Sequence, residues 1–168
     1  RNRDRVEVVF HDLRAAESKT VAAQLVTGNY RWGHMPFDYV LHLAAGSHVD
    51  RSVLDPAGFI LDNVLGTAHL LDFCRDHAED VLYFSTDEIF GVAPAGIEYD
   101  ERARYNSTNP YSASKAAAEE LCVAWENTYK IPMVVTHTMN VFGERQTPEK
   151  FIPLCIRRIA NGETISIH

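Results

Sequence analysis

Cysteine is scarce in this chain. Three occur in 168 residues, Cys74, Cys122 and Cys155, and no two stand in a Cys-x-x-Cys spacing. A disulfide framework and a thiolate metal site are both excluded as organising devices. Cys74 and Cys122 fall within apolar helical patterns and read as small core residues. The eight histidines are scattered, with no His-Glu-x-x-His or comparable ligand spacing, so no metal site is expected. No apolar run approaches the roughly 18 residues of a membrane-spanning helix. The N-terminal residues Arg1 to Arg5 are charged and lead into no long apolar core. That gives no signal peptide, and the cytoplasm is the expected compartment. Positive charge is also in deficit: the net charge of −7 argues against nucleic acid or an anionic membrane as partner. Local basic pockets for a phosphate ligand stay compatible with it. Internal repeats and low-complexity tracts are absent. With 46% hydrophobic and 23% charged residues, the composition is that of a soluble globular domain with a core of its own.

Strand and helix patterns alternate. Val6 to Phe10 reads as a strand, and residues 14 to 26 as a short helix broken at Gly28-Asn29. Tyr39 to Ala45 is a nearly all-apolar strand, the pattern of a parallel sheet covered on both faces. Asp55-Pro56 opens a helix that runs to about His77, with Asp as N-cap and Pro at the first helical position. Val81 to Phe84 is a third strand. Asn109-Pro110 opens a second long helix by the same device, Ile131 to Thr136 is a fourth strand, and Phe151 to Ala160 is a further helix. Thr164 to His168 begins another strand. The alternation predicts an α/β fold with a parallel sheet, whose ligands bind beyond the carboxyl ends of the strands. Asp12, Ala44-Ala45, Thr86-Asp87-Glu88 and Asn140 all fall at or past such ends.

Two motifs carry chemistry. Tyr111 and Lys115 are one helical turn apart, so they share a face. An ammonium near a phenol favours phenolate and would bring its pKa down from about 10 towards neutrality. The small residues Ser112, Ala113, Ser114 and Ala116 to Ala118 let a ligand or another backbone approach. Asp87-Glu88 closes an apolar strand and leads into Ile89-Phe90-Gly91. A solvated acidic turn is the ordinary reading of such a pair. In a partly dry pocket the two would separate into one acid and one base. Asp12 could cap a helix or accept a hydrogen bond from an adenine amino group. Asp50 and Arg51 read as structural partners, Asn140 as a turn residue, and Lys150 as either a solvated helix start or a phosphate contact.

Four segments together resemble one family. They are His42 to Ser52, Phe84 to Gly91, Tyr111 to Glu119 and Asn140 to Pro153, and they occur in the order found in the extended short-chain dehydrogenases. The Thr86-Asp87-Glu88 triplet is similar to that of the branch that dehydrates dTDP-glucose. The resemblance covers about Val6 to His168. It implies NAD as cofactor, a nucleotide-sugar substrate, a hydro-lyase activity and a homodimer. It also implies roles. Tyr111 would be the base at the sugar C4 hydroxyl, Lys115 would hold Tyr111 and the nicotinamide ribose, and Thr86 would bond the C4 oxygen. Glu88 would remove the C5 proton, and Asp87 would protonate the departing C6 hydroxyl. Asp12 and Leu13 would hold adenine, and Leu43, Ala44 and Ala45 would line the cofactor. Ser47 would sit between cofactor and substrate. Asn140 would bind phosphate, and Lys150 and Phe151 would contact the nucleotide. A UDP-sugar epimerase or decarboxylase, which shares the Tyr and Lys, is the nearest alternative; a catalytically inactive module kept for association is the other.

The departures from the family are specific. No Gly-x-x-Gly-x-x-Gly turn is present, and the first strand pattern corresponds to the family's third. The expectation is therefore a fragment: a partial Rossmann-like, doubly wound parallel sheet over residues 1–162, with 163–168 starting a substrate domain. Gly46 stands where glutamate is usual, Phe90 where tyrosine is usual, Val141 where a second Asn is usual, and His137 where arginine is usual.

Overall fold

The computed structural model describes residues 6, 8–16, 19–26 and 35–165. They divide into two compact units, Arg1–Thr138 and Met139–His168. In the first unit the order is α1 (Lys19–Val26), β1 (Phe37–His42), α2 (Val49–Leu54), α3 (Pro56–Phe59), a π-helical turn (Ile60–Leu65), α4 (Gly66–His77), β2 (Ala78–Thr86), a 3-10 turn (Asp87–Phe90), α5 (Pro110–Tyr129) and β3 (Met133–Thr138). The second unit holds α6 (Phe151–Ala160).

The sheet has the order β1-β2-β3, all parallel, which is the α/β arrangement that the alternating pattern predicts. Tyr39 pairs with Asp80, and Leu82 with Val134. One face is covered by α4 and α5. There Leu71, Cys74, Val81, Tyr83, Ala118 and Cys122 form the core, each 1% exposed or less. Cys74 and Cys122 are thus core residues and free thiols. The opposite face carries Tyr39, Leu41 and Val134, at 71%, 57% and 61% exposure. The expectation that β1 is covered on both faces is not met among the described residues: its apolar run is buried on the Val40–His42 side only.

Other boundaries move for local reasons. Val6 and Val8–Phe10 form no strand, because no partner strand lies beside them among the described residues; Glu7 lies outside those residues. The helix read over 14 to 26 is Lys19–Val26, because Asp12 first makes a turn. Its Oδ1 accepts from the Arg14 N–H at 3.0 Å, and its carbonyl accepts from Ala15 N–H at 3.0 Å. The break read at Gly28-Asn29 lies outside the described residues. The polar stretch 47–52 ends in helix α2. Thr164 and Ile165 are not strand, and 166–168 lie outside the described residues.

The two Pro-opened helices are capped as their sequences predict. Asp55 accepts from Gly58 N–H at 3.0 Å. Asn109 Oδ1 accepts from Ser112 N–H at 2.8 Å, and Ser112 Oγ accepts in return from Asn109 N–H at 3.3 Å. The 3-10 turn ends on Gly91 at φ +72°, where an added Cβ would lie 2.5 Å from the Asn106 carbonyl oxygen. Both the left-handed backbone and the close approach demand glycine. Gly91→Ala is expected to destabilise by about 3 kcal/mol in a urea melt.

Candidate active site

The site grows from the carboxyl end of β2. Thr86 is the last residue of that strand and caps the 3-10 turn, its Oγ1 accepting from Glu88 N–H at 3.3 Å. Its hydroxyl also donates to Asp87 Oδ1 at 3.4 Å. The Asn109 amide that caps α5 reaches across as well, donating from Nδ2 to Glu88 Oε2 at 3.3 Å. One side chain therefore starts the helix that carries Tyr111 and holds a carboxylate of the neighbouring turn.

Tyr111 is half-buried in the first turn of α5. Its N–H donates to Ser52 Oγ at 3.1 Å, its carbonyl accepts from Ser114 Oγ at 2.7 Å, and its ring meets Phe59 edge-on at 6.4 Å. Burial pushes the phenol's pKa above its usual value; a hydrogen bond with Thr86 pulls it back, and the Glu88 and Asp87 charges raise it further. The sequence expectation of a phenol lowered by Lys115 is therefore reversed. The reason is where the ammonium goes. Lys115 Nζ donates to the Phe84 carbonyl at 2.6 Å and lies 4.1 Å from the centre of the Tyr83 ring. Lys115 is only 4% exposed, and burial brings its own pKa down to about 8. His42, behind it, is also buried and is pushed down to about 4, first by burial and then by the Lys115 charge. It stays neutral and hydrogen-bonds Thr67 Oγ1 at 2.9 Å.

Asn63 joins these parts, and the sequence pattern hides it within an apolar helical stripe. It sits in the π-helical turn, 1% exposed. Its Oδ1 accepts from Gly46 N–H at 2.8 Å, and its Nδ2 donates to Gly46 O at 3.0 Å and to Ser114 Oγ at 2.8 Å. The loop after β1 is thereby tied to α5. Asn63→Leu leaves the half-buried Gly46 amide and carbonyl without their side-chain partner, and is expected to lower stability by about 2 kcal/mol by chemical denaturation.

Asp12, Leu13, Ala44 and Ala45 come together as lining of one cleft of about 320 Å³, with Gly46 at its side. Arg14 and Asp62 share this lining as an ion pair at 2.5 Å, neither of them singled out by motif. An added Cβ on Gly46 would meet the Phe59 ring at 3.2 Å, so a side chain there would require that ring to shift by a few tenths of an ångström. A carboxylate acceptor, a leucine and two alanines are a fitting donor set for an adenosine group. Leu43 and Ser47 stand outside this lining, both exposed. In the second unit, Asn140, Lys150 and Phe151 line a separate cavity of about 240 Å³ with Val141, Phe142, Gln146 and Ile152.

The chain as a whole has relatives among known proteins. The model of the NAD dependent epimerase/dehydratase family matches residues 31–168. The chain belongs to this family. Among its members, a dTDP-glucose 4,6-dehydratase of Escherichia coli is 38% identical over 181 residues, covering 96% of this chain and 50% of its own. One from Xanthomonas campestris is 40% identical over 145 residues, covering 80% of this chain and 41% of its own. The chain thus spans half or less of the length of these curated relatives. Among solved structures, the dTDP-glucose 4,6-dehydratase DesIV of Streptomyces venezuelae, with NAD and TYD bound, superposes with a TM-score of 0.79 at 33% identity. That match covers 92% of this chain and 45% of DesIV. A UDP-N-acetylglucosamine 4-epimerase of Methanobrevibacter ruminantium superposes equally well, at 0.79 and 27% identity, over 94% of this chain and 48% of its own.

Proposed function

We propose that this chain is the catalytic portion of a nucleotide-sugar 4,6-dehydratase, acting on dTDP-glucose with NAD to give the 4-keto-6-deoxy sugar and water. The observation that carries this reading is the Thr86-Asp87-Glu88 corner beside Tyr111. With NAD as hydride acceptor, a phenolate base and a lysine suffice to oxidise a carbinol. A second acid and a second base are what an elimination adds.

The NAD nicotinamide, when bound, accepts hydrogen from sugar C4 and later returns it to C6. The chain's own groups do the rest. Tyr111, as phenolate, takes the proton of the C4 hydroxyl while Thr86 holds that oxygen; for Lys115 to steady Tyr111 and the nicotinamide ribose, its ammonium must swing away from the Phe84 carbonyl. Once C4 is a ketone, the C5 proton is acidic and Glu88 removes it. Asp87, protonated, delivers its proton to the C6 hydroxyl, which leaves as water. The Asn109 amide, donating to Glu88 Oε2 at 3.3 Å, orients the carboxylate for this step. Asp12 and Leu13 hold adenine; Leu43, Ala44, Ala45 and Ser47 flank the cofactor. Asn140, Lys150 and Phe151 receive the nucleotide end of the substrate, and residues from 163 onward begin a substrate domain.

A homodimer formed through the helices that start at Asp55 and Asn109 belongs to the same reading. Its support is the exposure of Ile60 at 47%, Leu61 at 43% and Val123 at 41%. A cytoplasmic location accords with the described helices, none of which is long and apolar enough to cross a membrane.

The test uses the full-length protein with NAD and dTDP-glucose deuterated at C4. The expected product is a 4-keto-6-deoxy sugar with the label at C6. Epimerised or decarboxylated UDP-sugar would support the alternative suggested by the epimerase likeness. A folded protein that turns over neither would support an association module.

A further inference from the structure

Glu119 lies on α5 two turns beyond Tyr111 and one beyond Lys115, and is 4% exposed. Its Oε1 accepts from the Tyr105 hydroxyl and from His137 Nε2 at 2.8 Å. The three side chains come from three segments: α5, the loop before it, and β3. Both donor rings meet Phe90 edge-on, Tyr105 at 5.8 Å and His137 at 4.9 Å between ring centres. Phe90 is 6% exposed and closes the 3-10 turn whose first two residues are Asp87 and Glu88. The loop also holds that turn through the backbone, Asn106 N–H donating to Ile89 O at 2.8 Å.

We propose that Glu119 is a positioning residue: through Tyr105 and His137 it grips Phe90 and so sets where Asp87 and Glu88 stand relative to Tyr111. Its other oxygen, Oε2, is buried with no hydrogen-bond partner, and so is Nδ1 of His137. A buried carboxylate in this state is a poor source of stability, and a well-packed apolar side chain would serve the core better. What the carboxylate supplies is a fixed junction of three segments at one atom. The kinetic consequence rests on the dehydratase reading; the mechanical one does not.

The test, in the full-length protein, is Glu119→Met, which keeps the side chain's length and removes the oxygen that Tyr105 and His137 share. Turnover is expected to fall on the order of 10²-fold with KM little changed, as for a misplaced catalytic group. Bound reduced nicotinamide should accumulate under substrate, because oxidation at Tyr111 proceeds while elimination lags. Amide exchange should quicken at 87–91 and stay unchanged at 78–84. His137→Gln, which keeps an N–H donor, is expected to stay within about threefold of wild type. His137→Leu is expected to behave as Glu119→Met. Oxidation and elimination slowed in equal proportion, or exchange quickened throughout β2, would overturn the proposal. If the wild type makes no 4-keto-6-deoxy product, the dehydratase reading fails, and the exchange contrast still decides what Glu119 holds.

Discussion

Tyr111→Phe is expected to lower turnover by about 10³-fold with little loss of stability. The substitution removes one oxygen and keeps what seats the residue. The bonds from Tyr111 N–H to Ser52 Oγ and from Ser114 Oγ to the Tyr111 carbonyl belong to the backbone, and the edge contact with Phe59 needs only a ring. The lost Thr86 bond is offset by the removal of a buried hydroxyl, so the thermal midpoint should move by no more than about 1 kcal/mol equivalent. A drop in turnover with an unchanged melt isolates the phenol as chemistry; an active phenylalanine variant would assign the base elsewhere. The same phenol predicts a pH profile. Burial raises its pKa in the folded chain. Wild-type turnover should therefore climb with pH as phenolate forms. The neutral phenol favours the folded state, so its contribution to stability is full below the unfolded pKa of about 10 and fades as pH rises through the folded value.

Lys115→Met is expected to abolish activity and yet stabilise the protein near neutral pH. The lysine is buried, and its pKa falls from the usual 10.5 to about 8 chiefly through loss of water. At 1.36 kcal/mol per tenfold, that fall corresponds to about 3 kcal/mol against the charged folded state. The substitution also strips a donor from the Phe84 carbonyl, which costs about 1 kcal/mol. The desolvation relief is the larger, and a net gain of about 2 kcal/mol is expected in urea melts at pH 7. The sign follows from proton counting. Below about pH 8 both states are charged, and the folded chain bears the full burial cost. Between there and the usual value the unfolded chain binds more protons, so wild-type stability rises with pH. The advantage of the methionine is thus complete below pH 8 and gone above the unfolded lysine's pKa of about 10.5. A destabilised variant at pH 7 would show that the contacts to Phe84 and Tyr83 outweigh desolvation.

Residues whose role is local were legible in the sequence. Asp55 and Asn109 announce their helices because an N-cap acts on amides two or three residues away. β2 and its acidic end follow from an apolar run and its abrupt stop. Roles that depend on distant partners were not legible. Lys115 has helical spacing to Tyr111, but its ammonium is placed by the Phe84 carbonyl, 31 residues earlier in the chain. Val6 to Phe10 has the composition of a strand, but a strand exists only where another backbone meets it. Asn63 and Glu119 look like ordinary polar residues on helices until the segments they bind arrive.

The π-helical turn has a consequence for chain length. Phe59, Asn63, Thr67 and Leu71 are all buried and follow one another at intervals of four. In an α-helix each residue turns about 100°, so three such steps would drift about 120° off a single face. One extra residue taken up by the wide turn cancels nearly all of that drift. The even spacing is therefore the sequence's own imprint of the bulge. It also makes the stretch intolerant of insertion or deletion: removing one residue would keep a helix but rotate either Phe59 or Leu71 out of the interior. Surface loops absorb such length changes during divergence, whereas here the count of residues is as fixed as their identity.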